Sequence, residues 1–129
     1  MQRKEDIKKL WKLCFNDSDE FVERYFRLCY SNDTAATIHS GNQLISALQM
    51  PAYSMTFGKA VIQTSYISGA CTHPDFRGRG VMAQLLSESF SRMVQKNIPL
   101  SILIPANDKL FDYYAKVGYA PAFFRTPIK

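Results

Sequence analysis

Cysteine is scarce in this chain. Its three residues, Cys14, Cys29 and Cys71, make an odd number with no paired spacing. That excludes a disulfide framework and a cysteine metal cluster as organising devices, so no metal site is expected and reduced thiols in the cytoplasm are. Long hydrophobic runs are also missing, and the opening Met1-Gln2-Arg3-Lys4-Glu5-Asp6 is no signal peptide, so no membrane partner is expected. Concentrated charge is absent as well. The net charge is +5, yet the basic residues are spread along the chain rather than packed into one block. A nucleic-acid partner is therefore not expected, and a small phosphate-rich ligand accounts for the excess as well as a polymer would. What is present is globular in kind: 47% hydrophobic and 21% charged residues in a chain of 129. That length holds one domain, residues 1–129, able to bury a core but with no room for a second.

Glycine is uncommon too, with six residues, but two of them stand close together in Cys71-Thr72-His73-Pro74-Asp75-Phe76-Arg77-Gly78-Arg79-Gly80-Val81-Met82. Pro74 restricts His73 to extended geometry and ends a strand. Gly78 and Gly80 permit a tight turn and a close approach of backbone to ligand. From Met82 the apolar positions Leu85, Leu86, Phe90 and Met93, with Ser89 among them, recur at helical spacing. Gln84, Ser87, Glu88, Arg92, Gln95 and Lys96 are read as the solvated side. A helix opening directly after such a turn aims unpaired N–H groups and its positive dipole end into one volume. Arg77 and Arg79 add charge there, so a phosphorylated ligand is the first functional inference.

Taken in order, residues 4–15 carry Ile7, Leu10, Trp11 and Cys14 at helical spacing. Asp17 and Glu20 form a candidate capping box for a second helix running to about Tyr30. Extended segments Thr34–His39 and Gln43–Gln49 flank a turn at Ser40-Gly41-Asn42, and Met55–Phe57 and Val61–Thr72 flank Gly58-Lys59. Pro51 between the two hairpins belongs at a bulge, a strand end or a sheet edge. After the helix, Asn97 suits a left-handed cap, and Leu100–Ile104 is an apolar strand covered on both faces. Strand, helix, strand in this order implies a right-handed crossover between parallel neighbours, with the glycine turn at the carboxyl end of its strand. A last helix runs from a cap at Asn107 or Asp108 through Leu110, Phe111, Tyr114 and Val117 to Gly118.

These residues resemble the GCN5-related N-acetyltransferase (GNAT) family. Arg77 and Gly80 fill the first and fourth positions of its cofactor motif [QR]-x-x-G-x-[GA]. Met82 stands where Gly or Ala is usual, as a larger apolar residue does in the Eis-like branch. Asn107, Tyr114, Lys116, Gly118 and Tyr119 fall in register with N-x-x-A-x-x-x-Y-x-K-x-G-[FY], with Leu110 in place of the small residue. The resemblance spans roughly residues 41–119. It implies an α/β fold, the acyl-CoA N-acyltransferase fold, with a central mixed, mostly antiparallel sheet flanked by helices. The first and last strands are expected to be short or missing, so that part of the acceptor site is absent or supplied by another chain and self-association follows.

The resemblance further implies acetyl-CoA as cosubstrate and direct acetyl transfer to a primary amine of a small molecule or peptide. The cofactor-binding candidates are Ala70, Cys71, Thr72, Arg77, Gly78, Arg79, Gly80, Val81, Met82 and Asn107. Of these, residues 77–82 would hold the pyrophosphate through main-chain amides, and Ala70 and Thr72 the pantetheine arm. Ordinary sheet pairing for Ala70 and Thr72 is compatible with that role. Tyr114 is the catalytic candidate, a phenol of reference pKa about 10 placed to protonate the departing thiolate. Its alternative is a core aromatic, and that of Asn107 a plain helix cap. Tyr113 lies about a quarter-turn away on the helix and reads as structural. His73 is not favoured as a base, nor Cys71 as an acyl carrier. Two other functions compete: a CoA-binding sensor or scaffold without turnover, and a nucleic-acid binder using the Arg-Gly-Arg-Gly loop. The second lacks the interleaved aromatics such binding needs.

Overall fold

The computed structural model describes residues 2–104 and 109–120. Two amphipathic helices come first, α1 (Gln2–Cys14) and α2 (Asp19–Leu28). Their inward stripes are Ile7, Leu10 and Trp11 on α1, and Val22 and Phe26 on α2. The link between them corrects one expectation. Ser18 caps α2 in place of Asp17, its hydroxyl accepting the Phe21 N–H at 3.1 Å. Asp17 instead accepts the Trp11 indole N–H at 2.9 Å, giving the buried ring a partner for its one polar atom. α2 also stops at Leu28, short of Tyr30.

Five strands follow in meander order: β1 (Ala35–Ser40), β2 (Gln43–Gln49), β3 (Ala52–Phe57), β4 (Ala60–Tyr66) and β5 (Ser68–Thr72). Both expected hairpins are present, turning at Gly41 and Gly58, each with φ +59. The stretch read as one strand over residues 61–72 is two strands, because the whole hairpin bends. β2 pairs with β5 and β3 with β4, both antiparallel, so β2–β3 and β4–β5 are two long strands with a shared kink. Pro51 sits at the kink, where its carbonyl accepts the Tyr66 N–H at 3.0 Å. On the other long strand the kink is a bulge: Ala47 faces Cys71 but Gln49 faces Ser68, and Gly69 adopts φ +62.

Helix α3 (Val81–Gln95) leads to β6 (Leu100–Ile102), and α4 (Lys109–Lys116) follows. Asn97 closes α3 at φ +59 and Gly118 ends α4 at φ +112, as their residue types require. β6 is shorter than the expected Leu100–Ile104, and it is parallel to β4 alone. Its last bond is from Ile67 N–H to the Ile102 carbonyl at 2.8 Å. Beyond that point β5 turns away with β2, and the two directions diverge into a wedge.

Successive residues on the strands face opposite ways, so the sheet carries two cores. Ala35 and Ala47 join Ile7, Leu10, Trp11, Val22, Phe26 and Cys71 on the side of α1 and α2. Ala36 and Leu48 join Met50, Ile67, Leu85, Leu86 and Met93 on the side of α3. Arg92, read as solvated, is half-buried: its guanidinium donates to the carbonyls of Ala35 at 2.9 Å and Asp33 at 2.8 Å. Arg3 of α1 donates to the same Ala35 carbonyl at 2.9 Å, so the entry to β1 ties both helix layers together. Among the described residues no helix is long and apolar enough to cross a membrane. The Asn107 cap and any strand past residue 120 lie outside the described residues.

Candidate functional site

The turn between β5 and α3 is built by its own sequence. Pro74–Phe76 forms one turn of 3-10 helix, capped by His73, whose Nδ1 accepts the Asp75 N–H at 3.1 Å. This hydrogen bond gives His73 a structural task. Gly78 and Gly80 then take φ +78 and +77, left-handed values that favour glycine. They turn the chain so that α3 begins at Val81, its first residues lining one cavity with Thr72 at the end of β5. The first helical bond within α3 runs from Gln84 N–H to the Gly80 carbonyl at 3.1 Å. Among the described residues, the main-chain nitrogens of residues 78–83 have no partner. A Cβ placed on either glycine would meet nothing within 4 Å. Unpaired donors, a helix dipole and open space coincide there, and together they make a receptor for an anion.

The two arginines flank this opening differently. Arg77 folds back, its Nε donating to the Thr72 carbonyl at 3.0 Å, which leaves its two terminal NH2 groups. Arg79 lies over the Phe76 ring, 5.4 Å from its centroid. Beside them is a cavity of about 150 Å³, lined among others by Thr72, Arg77, Gly80, Met82 and Tyr113. A second cavity, about 90 Å³ near the far end of α3, is lined in part by Arg92, whose guanidinium is already engaged by carbonyls.

β5 is an edge strand, and its ladder with β2 decides which groups face the wedge. His73 N–H bonds to the Ile45 carbonyl at 2.7 Å and Cys71 stands opposite Ala47, so the odd positions turn towards β2. Ala70 and Thr72 therefore turn their main-chain groups to the open edge. The Thr72 carbonyl is taken, accepting from Arg77 and from the Cys14 thiol at 3.4 Å, which leaves its N–H for a ligand. Cys71 is placed otherwise than its neighbours: its carbonyl accepts from the Ser46 hydroxyl at 3.0 Å and its thiol is buried on the α1 side.

α4 is braced by rings. Tyr119 packs 5.7 Å from Phe90 and 6.0 Å from Tyr114, centroid to centroid, and its hydroxyl pairs with Ser101 Oγ at 2.6 Å. Tyr113 and Tyr114 stand edge to face at 5.3 Å. Tyr113, read from sequence as structural, lines the cavity beside the glycine turn. Tyr114 sits behind it, half-buried, with no hydrogen bond to its hydroxyl among the described residues. Burial raises both phenols above their ordinary pKa, and for Tyr114 the neighbouring Tyr113 adds to the rise. The placement of Tyr113 depends on the pitch of α4 against α3, which spacing within α4 does not reveal. The approach of Cys14 to Thr72 is likewise a tertiary fact with no local signal.

A family model described as the acetyltransferase (GNAT) domain matches residues 2–122. No curated protein matches the chain. Among solved structures, a GCN5-related N-acetyltransferase from Anabaena variabilis superposes with TM-score 0.77 at 18% identity, over 88% of this chain and 29% of that one. The chain thus spans less than a third of that protein. A predicted acetyltransferase from Clostridium acetobutylicum, solved with acetyl-CoA, matches with TM-score 0.74 at 19% identity, over 98% of this chain and 91% of that one. Glucosamine-6-phosphate N-acetyltransferase from Arabidopsis thaliana gives 0.68 at 16%, over 99% and 90%. At such identities the likeness is one of fold. Sequence model and architecture agree along nearly the whole length: the chain belongs to the GCN5-related N-acetyltransferase family.

Proposed function

We propose that the chain is an acetyl-CoA-dependent N-acetyltransferase that passes the acetyl group directly to a primary amine. The observation that carries this reading is the run of main-chain nitrogens over residues 78–83 without a partner among the described residues, opening into free space at Gly78 and Gly80. Acetyl-CoA, when bound, supplies the activated thioester. The amides of Gly78 to Ala83 hold its diphosphate, with the terminal NH2 groups of Arg77 and the charge of Arg79 beside them. The open edge of β5, at Ala70 and the Thr72 N–H, orients the arm within the wedge. Tyr113 closes one side of the cavity and excludes water. Tyr114 holds its phenolic proton and delivers it to the leaving sulfur. The acceptor approaches from the other side of the wedge as the neutral amine.

Saturating acetyl-CoA should raise the melting temperature. At a hundredfold excess over Kd the stabilisation is about 2.7 kcal/mol, or roughly 10 °C for a domain of this size. Thiol release with a panel of primary amines then identifies the acceptor. An unchanged melting temperature would sink the reading, and a shift without release of the CoA thiol in the presence of any amine would reduce it to binding alone.

Gly80→Ala tests the cradle separately from the fold. Forcing a side chain to φ +77 costs about 1 to 2 kcal/mol of stability, and no clash adds to that. The added methyl occupies the space assigned to the diphosphate, so the acetyl-CoA shift should vanish while the protein still folds. An unaltered shift in folded Gly80→Ala protein refutes the placement.

A further inference from the structure

Behind the glycine turn lies a second group of reactive side chains that acetyl transfer does not use. Cys14 is the last residue of α1. Its thiol lies against the same core that holds Cys71, its Sγ 3.4 Å from the carbonyl of Thr72, the residue next to Cys71. Cys14 is partly exposed, whereas Cys71 is buried, and Cys29 is on the surface elsewhere. The Thr72 carbonyl joins this pair to the cradle, accepting from Cys14 Sγ at 3.4 Å and from Arg77 Nε at 3.0 Å. We propose that Cys14 and Cys71 are a dithiol–disulfide couple, a redox site set into the back of the cradle and linked to it through Thr72 and Arg77.

The electrostatics assign the roles within the pair. The hydrogen bond from Cys71, with Arg77 and His73 nearby, holds the Cys14 thiol down to about 6. Hydrogen bonding to Cys14 and burial push the Cys71 thiol up. Cys14 is thus the more readily ionised of the two and, being partly exposed, it is the sulfur that meets an oxidant. With a hydroperoxide, Cys14 attacks the terminal oxygen, the O–O bond breaks, and an alcohol or water leaves with a sulfenic acid on Cys14. The Cys71 sulfur then attacks that sulfenic sulfur, the S–S bond forms, and the hydroxyl leaves as water with the Cys71 proton. Two thiols lose two electrons in all, and the peroxide gains them. Oxidation also removes an ionisable thiol from beside Arg77, which favours an anion in the cradle. This last consequence rests on the proposed function, whereas the disulfide does not.

The test uses the full chain carrying Cys29→Ser, so that only the pair remains. After brief exposure to a modest excess of hydrogen peroxide, the protein is unfolded in acid, alkylated and weighed. The expected product is a monomer two hydrogens lighter that takes up no label, with a cross-linked peptide joining residues 14 and 71, all restored by dithiothreitol. Over-oxidised Cys14 with Cys71 still alkylable, or a bridge between two chains, overturns the proposal. Acetyl-CoA, which has no free thiol, then probes the linkage: its Kd should fall severalfold on oxidation and on Cys14→Ser alone. A bridge that leaves Kd unchanged overturns the linkage, and an absence of binding to every form counts against the proposed function alone.

Discussion

Gly69→Ala should cost this protein about 3 kcal/mol of stability, read as a lower urea midpoint at unchanged slope. Two independent causes add. At φ +62 a side chain is strained by about 1 to 2 kcal/mol. The new Cβ would also run into the Trp11 ring and stand 2.5 Å from Gln49 Oε1, and overpacking of a core in this way costs roughly 1 to 3 kcal/mol. Trp11 cannot step aside easily, since its ring is wedged among Phe15, Tyr25 and Phe26 at centroid distances of 5.3, 4.8 and 5.6 Å. Gln49 has little room to move, being 1% exposed, although among the described residues neither polar atom of its amide has a partner. Gly58→Ala is the control, because that turn has nearly the same φ and nothing within 4 Å of the added methyl. It should show the strain alone. Equal losses at the two positions would mean that the Trp11 contact contributes nothing.

The largest expected effect on turnover is at Tyr114. Removing a positioned proton donor lowers kcat by about 10² to 10⁴. Tyr114→Phe keeps the ring contacts with Tyr113 and Tyr119, so stability and the KM for acetyl-CoA should change little. Tyr113→Phe, which alters only a wall of the cavity, should leave kcat within a few-fold and raise KM. The pH profile adds a second check. A phenol pushed up by burial keeps its proton above its ordinary range, so the alkaline fall in kcat should begin above about pH 10 and be missing in Tyr114→Phe. If instead Tyr113→Phe carries the kcat loss, the proton donor is the cavity-lining phenol.

How much of this was legible in the sequence depends on how local each feature is. The glycine turn and its helix are written in adjacent residues, since Pro74, Gly78, Gly80 and the stripe from Met82 to Met93 each act within a few positions. Both hairpins are equally plain, because Gly41 and Gly58 choose their turns. The bend is less plain. Residues 61–72 read as one extended run without a proline, and nothing local records that the strand changes partner midway, although an interior glycine such as Gly69 is a bulge signal. Asp17 looks like a cap until Trp11 of the previous helix claims its carboxylate. Arg92 looks solvated on its own helix, and only the arrival of β1 supplies the carbonyls that bury it. The contact of Cys14 with Cys71 joins residues far apart in the chain, and no pattern in either neighbourhood announces it.

The divergence of β5 from β6 has a mechanical consequence. The two strands share no ladder bond, and each is anchored by its other neighbour, β5 by β2 and β6 by β4. No ladder bond therefore resists spreading of the gap between them, and its apex is held by the bond from Ile67 N–H to the Ile102 carbonyl. The cores on either side of the sheet, rather than strand pairing, set the width of the gap.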